Sequence, residues 1–166
     1  MLEHIWPTLS TPFRDELMLQ CVKCLKSMPN ECDAFARIVA DITKSRPQTV
    51  KSQWRMSNTY GTKLALGRDP QKASPFFALA YMSARQPEVT ALYSALGVAH
   101  TDLTVAESSI TTNPPTQEQF AGVLAKGLDG VAPESVRCMI AVIADAGIDS
   151  WQLAARGALE TSLASR

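Results

Sequence analysis

Seven bases fall within 29 residues of this chain. The segment Lys44–Lys72 carries Lys44, Arg46, Lys51, Arg55, Lys63, Arg68 and Lys72 against one acid, Asp69, for a net charge of +6. The 43 residues before it sum to −2 and the 94 after it to −4, so the neutrality of the whole chain conceals a charge segregated along the sequence. Lysine and arginine neutralise phosphates and release condensed counterions, which makes a segregated positive surface the electrostatic footprint of nucleic-acid binding. Trp54 and Tyr60 lie among the bases, and aromatic rings stack on any nucleobase. On a helix, Lys51 and Arg55 stand one turn apart on one face. The expected site is therefore Lys51, Trp54, Arg55, Tyr60, Lys63, Arg68 and Lys72, with RNA as the partner. The competing reading is a solvated basic surface that pairs with acids of the same molecule or of a protein partner, with Trp54 in the core.

Other residues invite other chemistry. Cys21-Val-Lys-Cys24 is followed by Cys32, and a zinc site would need a fourth ligand from Cys138, His4 or His100. Cys21 and Cys24 fall on the apolar stripe of an expected helix, where free cysteine behaves as a small hydrophobe. A redox CxxC would follow a strand, and none is expected there. The thiols are read as reduced, in an intracellular and cytoplasmic protein with no metal and no cofactor. His4 and His100 are the only imidazoles. His100-Thr-Asp102 has serines nearby, but no strand–turn–helix surrounds any of them. Carboxylates are dispersed, and neither common glycine-rich phosphate loop is present. The expectation is a non-enzymatic protein.

The elements that must hold these residues read as helices. At 166 residues, 46% hydrophobic and 19% charged, the chain is globular and long enough to bury roughly 70% of its unfolded surface without a metal or disulfide. No apolar run approaches the ~20 residues of a membrane-spanning helix. The start, MLEHIWPTLS, lacks the pattern of a secretion signal; it reads as an extended arm whose Trp6 packs on the domain or on a partner. Thr11-Pro12 opens a first helix, capped by the Thr11 hydroxyl, and Asn30 caps a second. Thr49–Ser57 is a third. Asn58–Gly61 reads as a turn, and the stretch from Tyr60 to Lys72 as an irregular surface loop. Ser74-Pro75 opens an apolar helix with Phe76, Phe77, Leu79 and Tyr81, aromatics that are core or line a groove for a partner helix. Pro87 begins another, ended by Gly97. Residues 98–115 read as a polar linker or loop. Thr116-Gln-Glu-Gln119 is a capping box, and Pro133–Gly147 and a last helix from Asp149 or Ser150 complete a three-helix unit.

Two segments carry a resemblance. The run TYGTKLALGRDPQKASPFFALAYMSARQP, with Tyr60, Gly61, Arg68, Asp69, Phe76, Phe77, Tyr81 and Pro87, resembles the core element of the coat proteins of flexuous filamentous plant viruses. The segment NPPTQEQFAGVLAKGLDGVAPESV resembles a helix pair of that family, but there the pair precedes the core element and here it follows. The likeness covers about a third of the chain. It implies a basic, aromatic, helical domain that packages RNA.

The fold expected is all-α, a bundle of about seven or eight helices. It divides into an N-terminal lobe over 1–99, a linker over 100–115 and a C-terminal three-helix unit over 116–166. The function expected is RNA binding by the basic segment. The alternative is a protein-interaction or self-associating assembly subunit whose basic segment meets an acidic partner.

Overall fold

The computed structural model describes residues 1–164, apart from the side chains of Pro70, Ser74 and Phe76. The expected core role of Phe76 lies outside the described residues. The fold is an all-α multi-helix bundle. Its helices are α1 (Leu2–Ile5), α2 (Thr11–Leu25), α3 (Pro29–Thr43), α4 (Pro47–Arg55), α5 (Tyr60–Arg68), α6 (Pro70–Ala84), α7 (Gln86–Ala95), α8 (Glu107–Thr111), α9 (Gln117–Lys126), α10 (Pro133–Ala146) and α11 (Asp149–Ala164). A 3₁₀ turn, Trp6–Thr8, follows α1, and a hairpin of β1 (His100–Thr101) and β2 (Thr104–Val105) follows α7. The count exceeds the expected seven or eight because short helices replace what reads as arm, loop and linker.

Helix starts follow local chemistry. Pro29, Pro47 and Pro133 each occupy the first helical position, where the missing N–H has no intrahelical partner to lose. Ser10, one residue earlier than expected, caps α2 by accepting from the Phe13 amide. The capping box at α9 forms as read: Thr116 Oγ1 accepts from the Gln119 amide, and Gln119 Oε1 from the Thr116 amide at 2.8 Å. Asn30 does not cap α3; it lies inside a helix already begun at Pro29.

The chain forms two compact units, one of residues 6–84 and one of residues 1–5 with 85 onward. In the first, α2 packs on α6, and α3 packs on α4, α5 and α6. Its core holds Leu17, Met18, Leu25, Phe35, Val39, Trp54, Leu66, Phe77 and Tyr81. Trp6 belongs to this core: it is 4% exposed and meets Phe77 edge-on at a ring separation of 5.6 Å. The terminal segment is thus helical and packed, not an extended arm.

In the second unit α10 is central. Nine of its residues are buried, and α9, α11 and α1 pack on it. The amino terminus and the Leu2 amide are both held by the Asp145 carboxylate, at 2.8 and 2.7 Å. Gly147 ends α10 where a Cβ would lie 2.5 Å from the Ile143 carbonyl oxygen, so only glycine fits without a backbone shift. Residues 98–115, expected as a polar loop or linker, contain the hairpin and α8. Asp102 takes φ 50° at the hairpin turn, a conformation that Asp tolerates better than most residues, and Ser109 is buried, with its hydroxyl accepting from the Ala99 amide.

Candidate nucleic-acid interface

The basic residues gather on residues 6–84. That unit holds eleven bases against six acids, a net +5, and the remainder of the chain holds five against ten, a net −5. Charge segregated along the sequence is therefore segregated by structural unit as well.

Within the unit six of the eleven bases line two clefts, three in each. The first, about 460 Å³, runs between α5 and the start of α2 and is lined by Trp6, Pro7, Thr11, Arg14, Asp15, Tyr60, Lys63, Leu64, Gly67 and Arg68. Tyr60 to Lys72 was expected as a loop. It is instead α5 and the first turn of α6. Helical periodicity explains the sorting: Thr62, Ala65 and Leu66 turn inward and are buried, while Tyr60, Lys63, Leu64, Gly67 and Arg68, at steps of three and four residues, face the cleft. Asn58 Oδ1 accepts from the Tyr60 amide at 3.0 Å and starts the helix that the sequence Asn-Thr-Tyr-Gly disguises as a turn.

The second cleft, about 260 Å³, is lined by Lys26, Pro29, Cys32, Asp33, Lys51, Trp54 and Arg55. Lys51 and Arg55 share it as their spacing on α4 predicts. Each cleft thus holds three bases and one carboxylate. Lys63 donates to Asp15 in the first, and Lys51 to Asp33 at 2.8 Å in the second. The Lys51 hydrogen bond, and then its charge, hold the Asp33 carboxyl below its ordinary range. Burial, and then the negative charge of Asp33, push the Cys32 thiol up and keep it protonated, in spite of Lys51 and Lys26 nearby.

Two expected site residues are otherwise engaged: Trp54 borders the second cleft but belongs to the core, and Lys72 lies outside both. Trp54 is 2% exposed, donates from Nε1 to Thr62 Oγ1 at 2.8 Å and lies 5.7 Å from Phe35, ring to ring. Its faces are used by the core and are not available for stacking. Lys72 lies in neither cleft; it pairs with Asp41 at 3.7 Å and Asp69 at 3.5 Å. Tyr60 remains: its side chain is 68% exposed. Arg14 and Lys26 lie outside the charge run, so a window on the sequence misses them. Only the packing of α2 against its neighbours brings them to the clefts.

The remaining candidates have ordinary environments. Cys21 and Cys138 are buried and Cys24 and Cys32 partly so, and no disulfide joins them among the described residues. Among the described residues no three His, Cys, Asp or Glu side chains converge on a metal position. His100 lies 3.2 Å from Ser94 Oγ and 3.1 Å from the Asp102 carbonyl oxygen. That hydroxyl also donates to the Thr90 carbonyl. Asp102 offers its backbone and not its carboxylate, so nothing here matches the charge that would stabilise an imidazolium. No helix among the described residues is long and apolar enough to cross a membrane. No protein-family model, curated protein or solved structure matches the chain.

Proposed function

We propose that residues 6–84 form a non-enzymatic nucleic-acid-binding unit that holds the phosphate backbone of RNA along its two basic clefts. The observation that carries this reading is the repeated three-to-one excess of bases over carboxylates, in clefts on a unit of net charge +5. A phosphate oxygen and a carboxylate oxygen compete for the same lysine N–H donors, so an arriving backbone exchanges with Asp15 and Asp33 rather than meeting already neutral surface. Arg55 and Arg68 are exposed and form no ion pair with another of the described residues. They supply first contact; Lys51, Lys63, Arg14 and Lys26 supply the rest. A cytoplasmic setting with reduced thiols is part of the same proposal.

The test is binding of a labelled single-stranded RNA over a salt series. The expected slope of log K against log salt is about −3, the value for roughly four neutralised phosphates on a single strand. Arg55→Glu combined with Lys63→Glu is expected to lower affinity by at least tenfold at low salt, with helicity retained by circular dichroism. Absence of binding at low salt, or a folded double variant that binds unchanged, overturns the proposal.

A second reading, an assembly or protein-interaction subunit, draws on the opposite charges of the two units and on the exposed apolar side chains of Met56, Tyr60, Leu79 and Leu153, at 73%, 68%, 42% and 79%. Light scattering separates the two: a strictly monomeric protein that binds RNA contradicts the assembly reading.

A further inference from the structure

The α5 cleft has a feature that charge alone does not explain. Gly67 is the next-to-last residue of α5, although glycine is the poorest helix former after proline. Nothing local requires it. Its backbone is not in the left-handed region, and beyond its own helix backbone and chain neighbours a Cβ built there meets nothing within 4 Å. What the missing side chain does is leave bare backbone on the wall of the cleft, beside Leu64 and Arg68. Tyr60 and Gly67 are seven residues apart on the same face, about 10 Å along the helix axis. That span accommodates a nucleobase, its ribose and its phosphate. The cleft's volume, about 460 Å³, is within the range of small-molecule sites.

Resting on the RNA reading above, we propose that this cleft is a single-nucleotide subsite for one residue of a single-stranded chain. The base lies on the exposed ring of Tyr60, and the phosphate lies between Lys63, Arg68 and Arg14 over the open backbone of Gly67. Asp15 occupies Lys63 in the free protein and is displaced when the phosphate arrives. The subsite makes the unit selective for strands with unpaired bases, since a paired base cannot reach Tyr60.

The experiment compares three folded proteins, the full chain and its Gly67→Leu and Tyr60→Ala variants, against a short single-stranded RNA and an abasic ribose-phosphate oligomer of the same length. The full chain is expected to bind the RNA at least fivefold tighter than the abasic strand. Tyr60→Ala erases that difference and leaves the salt slope unchanged, since stacking releases no counterions. Gly67→Leu fills the cleft with a better helix former; it retains or raises Tm and weakens both ligands by at least tenfold. If Gly67→Leu folds and binds like the full chain, or the abasic strand binds as tightly as the RNA, the subsite is wrong while backbone binding stands. If the full chain binds neither strand at low salt, the RNA reading falls and the subsite with it.

Discussion

Helices α10 and α5 show two ways for this chain to use a helix. α10 is buried at nine of its fourteen positions, and its neighbours cover it on several sides. α5 buries Thr62, Ala65 and Leu66 and gives most of the rest of its surface to the cleft. The contrast extends to their glycines. Gly147 is required at the end of α10 by a carbonyl 2.5 Å from its missing Cβ, whereas nothing approaches the missing Cβ of Gly67. The first helix is shaped by its core. The second is anchored by one stripe and free to carry a charged and aromatic face on the other.

Substitutions can sharpen or break that contrast. The largest effect is expected at Trp54, whose ring is core and not interface. Trp54→Ala should cost about 3–5 kcal/mol by denaturant unfolding, while the RNA affinity of the remaining folded protein stays within twofold. A large affinity loss at full folding would return Trp54 to the binding surface. The glycine pair comes next. Gly147→Ala should destabilise by about 1–3 kcal/mol, because the obstacle is backbone that must move. Gly67→Ala should stabilise by up to about 1 kcal/mol through helix propensity. Equal and negative effects at both sites would mean that Gly67 is also packed. A smaller change is expected from Asp15→Asn, which leaves Lys63 without its carboxylate and should tighten RNA binding by two- to fivefold in anisotropy titrations. Unchanged or weaker binding would show that the Asp15–Lys63 pair does not compete with phosphate. The smallest is local. Lys51→Gln removes the donor that holds the Asp33 carboxyl down, so the Asp33 titration followed by carbon NMR should move up toward the ordinary aspartate value of about 3.9. In the unaltered protein the Lys51–Asp33 contribution to stability is complete above that value and is lost as pH falls through the depressed folded-state pKa.

Much of the α9–α11 region is legible in the sequence because its signals are local and mutually consistent. The Thr116–Gln119 capping box, Pro133 at a helix start and the inward set Val136, Met139, Ile140 and Ile143 all appear in the structure. Leu153 is the exception, an apolar side chain on α11 that is 79% exposed. α5 is not legible for the opposite reason. Asn58–Gly61 reads as a turn, and the stretch from Tyr60 to Lys72, with its two glycines, as an irregular loop. Burial of Ala65 and Leu66, with the Trp54–Thr62 hydrogen bond, outweighs two unfavourable helix glycines of about 1 kcal/mol each. The 98–115 segment is similar: polar composition reads as linker, but Ser109 is buried and its backbone carbonyl accepts from Trp151 Nε1 at 3.1 Å. For the site, the charge run identifies Lys51, Arg55, Tyr60, Lys63 and Arg68. It cannot show that Asp15 and Asp33 sit on two of those lysines, or that Arg14 and Lys26 join them, because these meetings depend on helix packing across up to about 50 residues of chain.

The central claim is that affinity resides in the clefts of residues 6–84 and not in net charge. Arg68→Glu and Lys126→Glu alter net charge by the same amount, at exposed positions on different units. In parallel anisotropy titrations with one single-stranded RNA at fixed salt, Arg68→Glu should weaken binding by at least tenfold and Lys126→Glu by less than twofold. Equal losses for the two variants, or none for Arg68→Glu, would contradict it.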